Sequence, residues 1–372
     1  MGLKTILILM MVVHTCTGES VNGTAHLYNI TDLSAVKYNE TESPAGEITI
    51  SDDAVQFLKG LLLTRAMPSF YIFLLVSLPL NALALVTFTC KIKEKKPAVI
   101  YMSNLACVDL LFTLLLPLKI HYQLNGSDWV FGEVACRVVT VAFQCYMYCS
   151  ILLMMCISVD RLLAVVFPMA SLTWRTTRGS AYVCVLVWLL AIAGTVPLLS
   201  IRQTYKIKKV GITCHDVTPN KEPAQQQNAH LFSVLSSLYF FLPLVITLAC
   251  YSAIIHALSA KSDQIATLSV ISEKRRRAVI MTIAVLIEFV VCFAPTNAIL
   301  LYHCILLATG HGSGEGNASY MAYLLTLCVG SSSVFLDPLL YYYGSSQCRQ
   351  QIRSVFWWKK TKGVPTFSVT YT

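Results

Sequence analysis

Charge is scarce in this sequence. Asp, Glu, Lys and Arg make up 13% of its 372 residues, against 56% hydrophobic ones, a balance that excludes an ordinary water-soluble domain of this length. Constellations that carry chemistry are missing too. The eight histidines are scattered, and no metal-ligand spacing, phosphate-binding glycine loop or nucleophile–base pair stands in a supporting context, so the chain does not read as an enzyme. There is no internal repeat and no low-complexity tract. The formal charge of +9 is gathered between apolar runs, so it speaks of membrane orientation and not of nucleic acid. Arginine is absent from Glu19 to Leu58, a stretch with one lysine, Lys37.

What the sequence does have is long apolar runs. They cover 68–90, 98–122, 136–166, 180–200, 230–257, 275–306 and 320–343, each near the ~20 residues that cross about 30 Å of hydrocarbon. A shorter run, Ile6–Val13, follows Lys4 and precedes Cys16-Thr17-Gly18. It reads as a signal peptide over 1–18, with an eighth span as the alternative. The expected fold is an all-α membrane protein. A bundle of seven transmembrane helices fills 67–343, after a mostly unstructured extracellular segment over 19–66. A cytoplasmic amphipathic helix and short tail occupy 344–372.

The loops agree with that topology. Lys91, Lys93, Lys95 and Lys96, then Lys261 with Lys274 to Arg277, then Arg349, Arg353, Lys359, Lys360 and Lys362 all fall on the expected cytoplasmic side. The gap 201–229 dissents with Arg202, Lys206, Lys208, Lys209 and Lys221. Glycosylation sequons at Asn22, Asn29, Asn39, Asn125 and Asn317 all fall outside. Most of the fourteen cysteines lie within runs, where the thiol packs as a small hydrophobe. Only Cys136 and Cys214 lie clearly in the oxidising compartment, and they read as one disulfide pinning the loop 201–229 over the third helix.

The runs are interrupted in informative places. Asp109, Glu288 and Asp337 each cost roughly 3 kcal/mol at mid-bilayer, so they are expected to face the bundle interior. Pro117, Pro197, Pro243, Pro295 and Pro338 interrupt five helices, and the carbonyls they free need partners in a polar core. Glu288 lies seven residues before Pro295 with Cys292 close by, and is expected to keep its proton and donate a hydrogen bond. After Tyr343, Cys348, Ile352, Val355 and Phe356 recur at helical spacing among basic residues, as in an interfacial helix. Trp357 and Trp358 would anchor it, with Cys348 a weak lipidation candidate.

A series of motifs then falls in order: Asn81, Asn104 to Asp109, Asp160-Arg161-Leu162, Trp188, Pro243 with Tyr251, Cys292-Phe293-Ala294-Pro295 and Asp337-Pro338 to Tyr341. The series resembles the rhodopsin-like G-protein-coupled receptors over 67–360. More narrowly, "CHDV" at 214–217, "PAVIYMSNLA" at 97–106, "LNGSDWVFGEVACR" at 124–137, "MYCSILLMMCISVDR" at 147–161, "CFAPTN" at 292–297 and "YMAYLLTLCVGS" at 320–331 look like the proteinase-activated receptors. That resemblance implies a plasma-membrane receptor with its N-terminus extracellular and its C-terminus cytoplasmic. A serine protease of trypsin or thrombin type cuts the outer segment, and the new N-terminus bends back as a tethered agonist. Heterotrimeric G proteins are the implied partners, with arrestins and receptor kinases behind them.

Roles follow residue by residue from the resemblance. Asp160 would pair with Arg161 at rest and release it toward a G protein, with Tyr251, Phe293, Pro295, Asp337, Pro338 and Tyr341 as further parts of the switch. Asn81, Asp109, Ser150 and Asp337 resemble the polar cluster that holds a sodium ion in many such receptors; no other cofactor is implied. His215, Asp216, His303, Tyr320, Tyr323 and Gln144 line the ligand pocket, Asp216 meeting the fresh α-ammonium. Gln144 and Cys304 depart from the aromatic residues of some relatives, which points to a different peptide. Lys37 is the expected cleavage site, because the thirty residues from Tyr38 to Met67 give a coil of roughly 30 Å. Lys59 lies only eight residues from Met67, a reach of at most about 29 Å that must also fold back. Two other readings stay open: a receptor of the same fold for a diffusible peptide, and a non-signalling co-receptor or decoy.

Overall fold

The computed structural model describes residues 67–92, 96–200, 202–207, 211–214, 231, 234–235, 237–262, 279–281, 283–309, 315–345 and 348–350. The expected signal peptide, the outer segment with Lys37, Asn22, Asn29 and Asn39, and the loop residues His215 and Asp216 lie outside these residues. So does nearly all of the amphipathic helix expected over 344–372.

Among the described residues, six helices are long and apolar enough to cross a membrane: Met67–Lys91, Pro97–Leu124, Gly132–Val166, Thr177–Leu199, Ser237–Ala257 and Val279–Tyr302. The seventh span is made of two shorter helices, Glu315–Gly330 and Ser333–Gly344. Serine chemistry explains the break. Ser331, Ser332 and Ser333 turn their hydroxyls back onto the carbonyls of Leu327, Val329 and Gly330 at 2.8, 2.6 and 3.1 Å, a local competition that bends helices. The third span runs through the middle, packed against the second, fourth and fifth. Lipid-facing positions keep their apolar side chains exposed, among them Leu114, Val185, Leu189 and Val245.

The prolines act in two ways. Pro117, Pro197 and Pro338 sit within continuous α-helix, so the expectation that they interrupt their helices is corrected. Pro243 and Pro295 instead follow wide π-turns at Ser237–Phe241 and Glu288–Phe293. Each proline lacks an N–H and would clash with the carbonyl four residues back, and that carbonyl lies inside the widened turn. The π-turn in the sixth span holds Glu288, Phe289, Cys292 and Phe293 in the core, all buried.

One element was absent from the all-helical expectation. Thr204–Ile207 (β1) and Gly211–Cys214 (β2) form an antiparallel hairpin with Thr204 opposite Cys214 and Ile207 opposite Gly211. Its apolar and β-branched residues alternate too briefly to stand out beside seven long runs. Below, the end of the bundle under this hairpin is called the hairpin end, and the opposite one the Arg161 end.

Candidate functional site

At the hairpin end, β2 is clamped by residues from two directions. Cys214 closes a disulfide with Cys136 at the start of the third span, Cα to Cα 5.7 Å. The turn after the second span supplies the rest: Trp129 N donates to Ile212 O at 2.7 Å, and Ile212 N donates to Asp128 Oδ1 at 2.8 Å. Gly211 has φ +113°, and a Cβ there would meet Asp128 Oδ1 at 2.4 Å, so this register admits only glycine. The segment before β1 is held by Glu133, which accepts from Gln203 N and Thr204 N at 3.0 Å each and from the Thr204 hydroxyl. Arg137 completes the corner, donating to Glu133 at 2.7 Å and to Leu199 O at 2.9 Å.

Beneath the hairpin, Gln144 on the third span and Tyr323 on the seventh are both buried, and Gln144 Nε2 has no hydrogen bond. His303 and Tyr320 stand on the sixth and seventh spans, their side chains outside the description. Asn125, exposed at the end of the second span, donates to Asp128 O at 3.2 Å; Asn317 begins the seventh. Lys119 was missed. It is a buried lysine with its ammonium 4.9 Å from the Tyr122 ring centroid. The signal was available, since a lysine in an apolar run costs as much as an acid.

In the bundle interior, Asp109, Glu288 and Asp337 are fully buried and close enough to feel one another's charge. Tyr341 donates its hydroxyl to Asp109 Oδ2 at 2.9 Å. Asp109 Oδ1 and both oxygens of Asp337 and Glu288 have no hydrogen bond of normal geometry, nor have Ser150 Oγ and Asn81 Oδ1. Asn81 turns its amide to Val334 O at 2.9 Å, tying the first span to the seventh. Tyr146 bonds Ser333, linking the third span to the seventh. Phe293 stacks edge-on against Phe289, centroids 6.1 Å apart. Trp188 donates to Asn104 Oδ1 at 3.2 Å, tying the fourth span to the second.

The Arg161 end corrects a sequence expectation. Asp160 does not pair with Arg161. Both of its oxygens are taken by Arg175, Nε to Oδ1 and Nη2 to Oδ2, each at 2.7 Å. Neighbours on a helix diverge by about 100°, so Asp160 faces the short helix Pro168–Trp174, and Arg161 faces the bundle. The acid holds the Arg175 guanidinium above its ordinary range. Arg161 Nη2 reaches the Gly344 carbonyl at 2.7 Å, with Tyr251 beside it. Cys348 is buried, which pushes its thiol up to about 11 and removes it as an accessible lipidation site.

These features define a class. The family described as "7 transmembrane receptor (rhodopsin family)" matches residues 80–341, and the chain belongs to it. It is a multi-pass membrane receptor, and not an enzyme. Within that family the chain is 46% identical over 321 residues to "Proteinase-activated receptor 1" of Homo sapiens, covering 86% of this chain and 73% of the relative. The receptor of the same name in Xenopus laevis is 45% identical over 313 residues, 84% and 71% of the two chains. "Proteinase-activated receptor 3" of Rattus norvegicus is 34% identical over 338 residues, 88% of each. The chain is a member of the proteinase-activated receptors.

Proposed function

We propose that this chain is a cell-surface receptor switched on by proteolytic cleavage of its N-terminal segment, the new N-terminus acting as a tethered agonist and the Arg161 end activating heterotrimeric G proteins. One observation carries the reading. The third span is a single helix of 35 residues, about 52 Å long, with the disulfide to the hairpin at one end and Arg161 bonded to the seventh span at the other. A ligand that moves the hairpin end therefore acts on the same rigid element that presents Arg161. In this reading the hairpin end is extracellular and the Arg161 end cytoplasmic. Residues 1–18 are a signal peptide, 19–66 carry the tether, 67–343 form the bundle and 344–372 the tail. Asp216, His215, His303, Tyr320, Tyr323 and Gln144 meet the peptide. The bare oxygens of Asp109, Asp337, Ser150 and Asn81 are a donor set that suits a hard monovalent cation such as sodium. Arrestins and receptor kinases would act on the activated form.

The test is an epitope tag placed after Glu19, with trypsin-like proteases added to intact cells and calcium release recorded. Tag loss together with a calcium response, both abolished in Lys37→Ala, is the expected result. A tag that stays on removes Lys37 as the site; a tag that leaves while Lys37→Ala signals normally makes the cut incidental. The absence of arginine from Glu19 to Leu58 favours a receptor for a diffusible peptide as the second reading.

A further inference from the structure

We infer that Arg175 is a positioning residue for Arg161: by occupying Asp160 it leaves the neighbouring arginine free to bond the end of the seventh span. One carboxylate and two guanidiniums meet at this end of the bundle. Asp160 is 4% exposed and offers two oxygens, and Arg175 takes both in a two-pronged pairing, the mode in which arginine and carboxylate bind most strongly. Arg175 is itself held in place. Its backbone N–H closes the helix Pro168–Trp174 onto Ser171 O at 3.1 Å, and its Nη1 donates to Ser171 Oγ at 3.3 Å.

Arg161 is left without its adjacent acid as a hydrogen-bond acceptor, and its Nε has no hydrogen bond. Its guanidinium bonds instead to Gly344 O, 183 residues along the chain. Gly344 sits at a crowded junction. A Cβ there would press on the terminal methyls of Met102 and Met281 and stand in van der Waals contact with Arg161 Nη2 at 3.4 Å. The bare glycine is thus where the second, third, sixth and seventh spans converge. If Arg175 withdraws, Asp160 has two free oxygens and the adjacent Arg161, already under its charge, has a long side chain that can turn back to it. A buried carboxylate left unpaired is costly, so it recaptures the nearest cation. Arg161 then swings from Gly344 to Asp160, and the seventh span loses its tie to the third.

Hydrogen–deuterium exchange on the purified full-length chain tests this at the peptide 341–350. Arg175→Ala is expected to speed exchange there at least about tenfold, the equivalent of one charge-assisted hydrogen bond. The double variant Arg175→Ala/Asp160→Asn is expected to restore wild-type protection, because Arg161 has no acid to fall back to. A bracing role for Arg175 would not be reversed by deleting its partner. Unchanged exchange in Arg175→Ala, or no recovery in the double variant, overturns the inference. Should Arg175→Ala fail to fold, Arg175→Gln, which keeps length and some hydrogen bonding but no charge, is read by the same two criteria. A second arm, nucleotide exchange on G proteins, rests on the receptor reading above: Arg175→Ala lowers it and the double variant recovers it. If the wild type activates no G protein, that reading fails while the deuterium arm still decides this one.

Discussion

Glu288 shares one fully buried pocket with Asp109 and Asp337, and neither of its oxygens is hydrogen-bonded. Three carboxyls packed together cannot all carry charge at ordinary cost, because each disfavours ionisation of the others. Tyr146, Tyr341, Tyr251 and Cys292 are also near enough to feel its charge. Glu288→Gln keeps the size and a donor, and is expected to leave surface level and basal nucleotide exchange at wild-type values. Glu288→Leu removes the buried carboxyl that the sixth span sets against Asp337 of the seventh, and is expected to raise basal exchange several-fold. Equal basal exchange in all three receptors would take Glu288 out of the switch. The three acids were each legible as buried, interior residues, since an apolar run displays any charge within it. Their meeting was not legible, because they come from three different runs and the sequence prints no angle between helices. Asp160 fails in the instructive direction. Adjacency suggested Arg161, but Arg175, 15 positions on, takes both oxygens of the acid.

The hairpin is the element on which the ligand end depends, and two features hold it in register. The first is the disulfide: Cys136→Ser and Cys214→Ser should each abolish surface expression or response, with the double variant no worse than either, since one bridge can be lost only once. A double variant clearly worse than both would mean that the two cysteines act separately. The second is the contact of Asp128 with Gly211. Gly211→Ala meets two penalties, a positive φ and a carboxylate at 2.4 Å from the new methyl, together about 1–3 kcal/mol. A lower melting temperature of the solubilised chain is expected. Adding Asp128→Ala removes the clash and the bond to Ile212 but leaves the backbone penalty, so stability should not return to wild type; full recovery would show that the clash alone mattered. Sequence reading found the bridge, from the two cysteines that fall in the oxidising compartment, Cys136 at the outer start of the third run and Cys214 in the loop. It overlooked the strands, which are four residues each, and the Asp128 contact, which spans 84 positions.

Taken whole, the molecule is a bundle whose long third helix connects a covalently pinned mouth to a basic face. Arg161→Ala is expected to leave the chain at the cell surface, because among the described residues the side chain bonds only the Gly344 carbonyl, and to remove G-protein activation. Unchanged signalling at equal expression would sink the mechanism proposed. Surface level and nucleotide exchange measured on the same cells separate a folding loss from a coupling loss.

The sequence by itself determined that this chain crosses the membrane repeatedly, where most spans begin and end, which two cysteines bridge, and which family it joins. Those properties are local: the hydrocarbon core imposes a length and an apolar composition on each segment independently, and motifs are strings. Only the tertiary structure decided that Arg175 and not Arg161 holds Asp160, that Asp109, Glu288 and Asp337 share one pocket, that Gly211 must lack a side chain, and that Cys348 is buried. Each of these is a meeting of residues far apart in the chain, set by how helices tilt and turn against one another, and hydrophobicity read along a single strand of text carries no record of that.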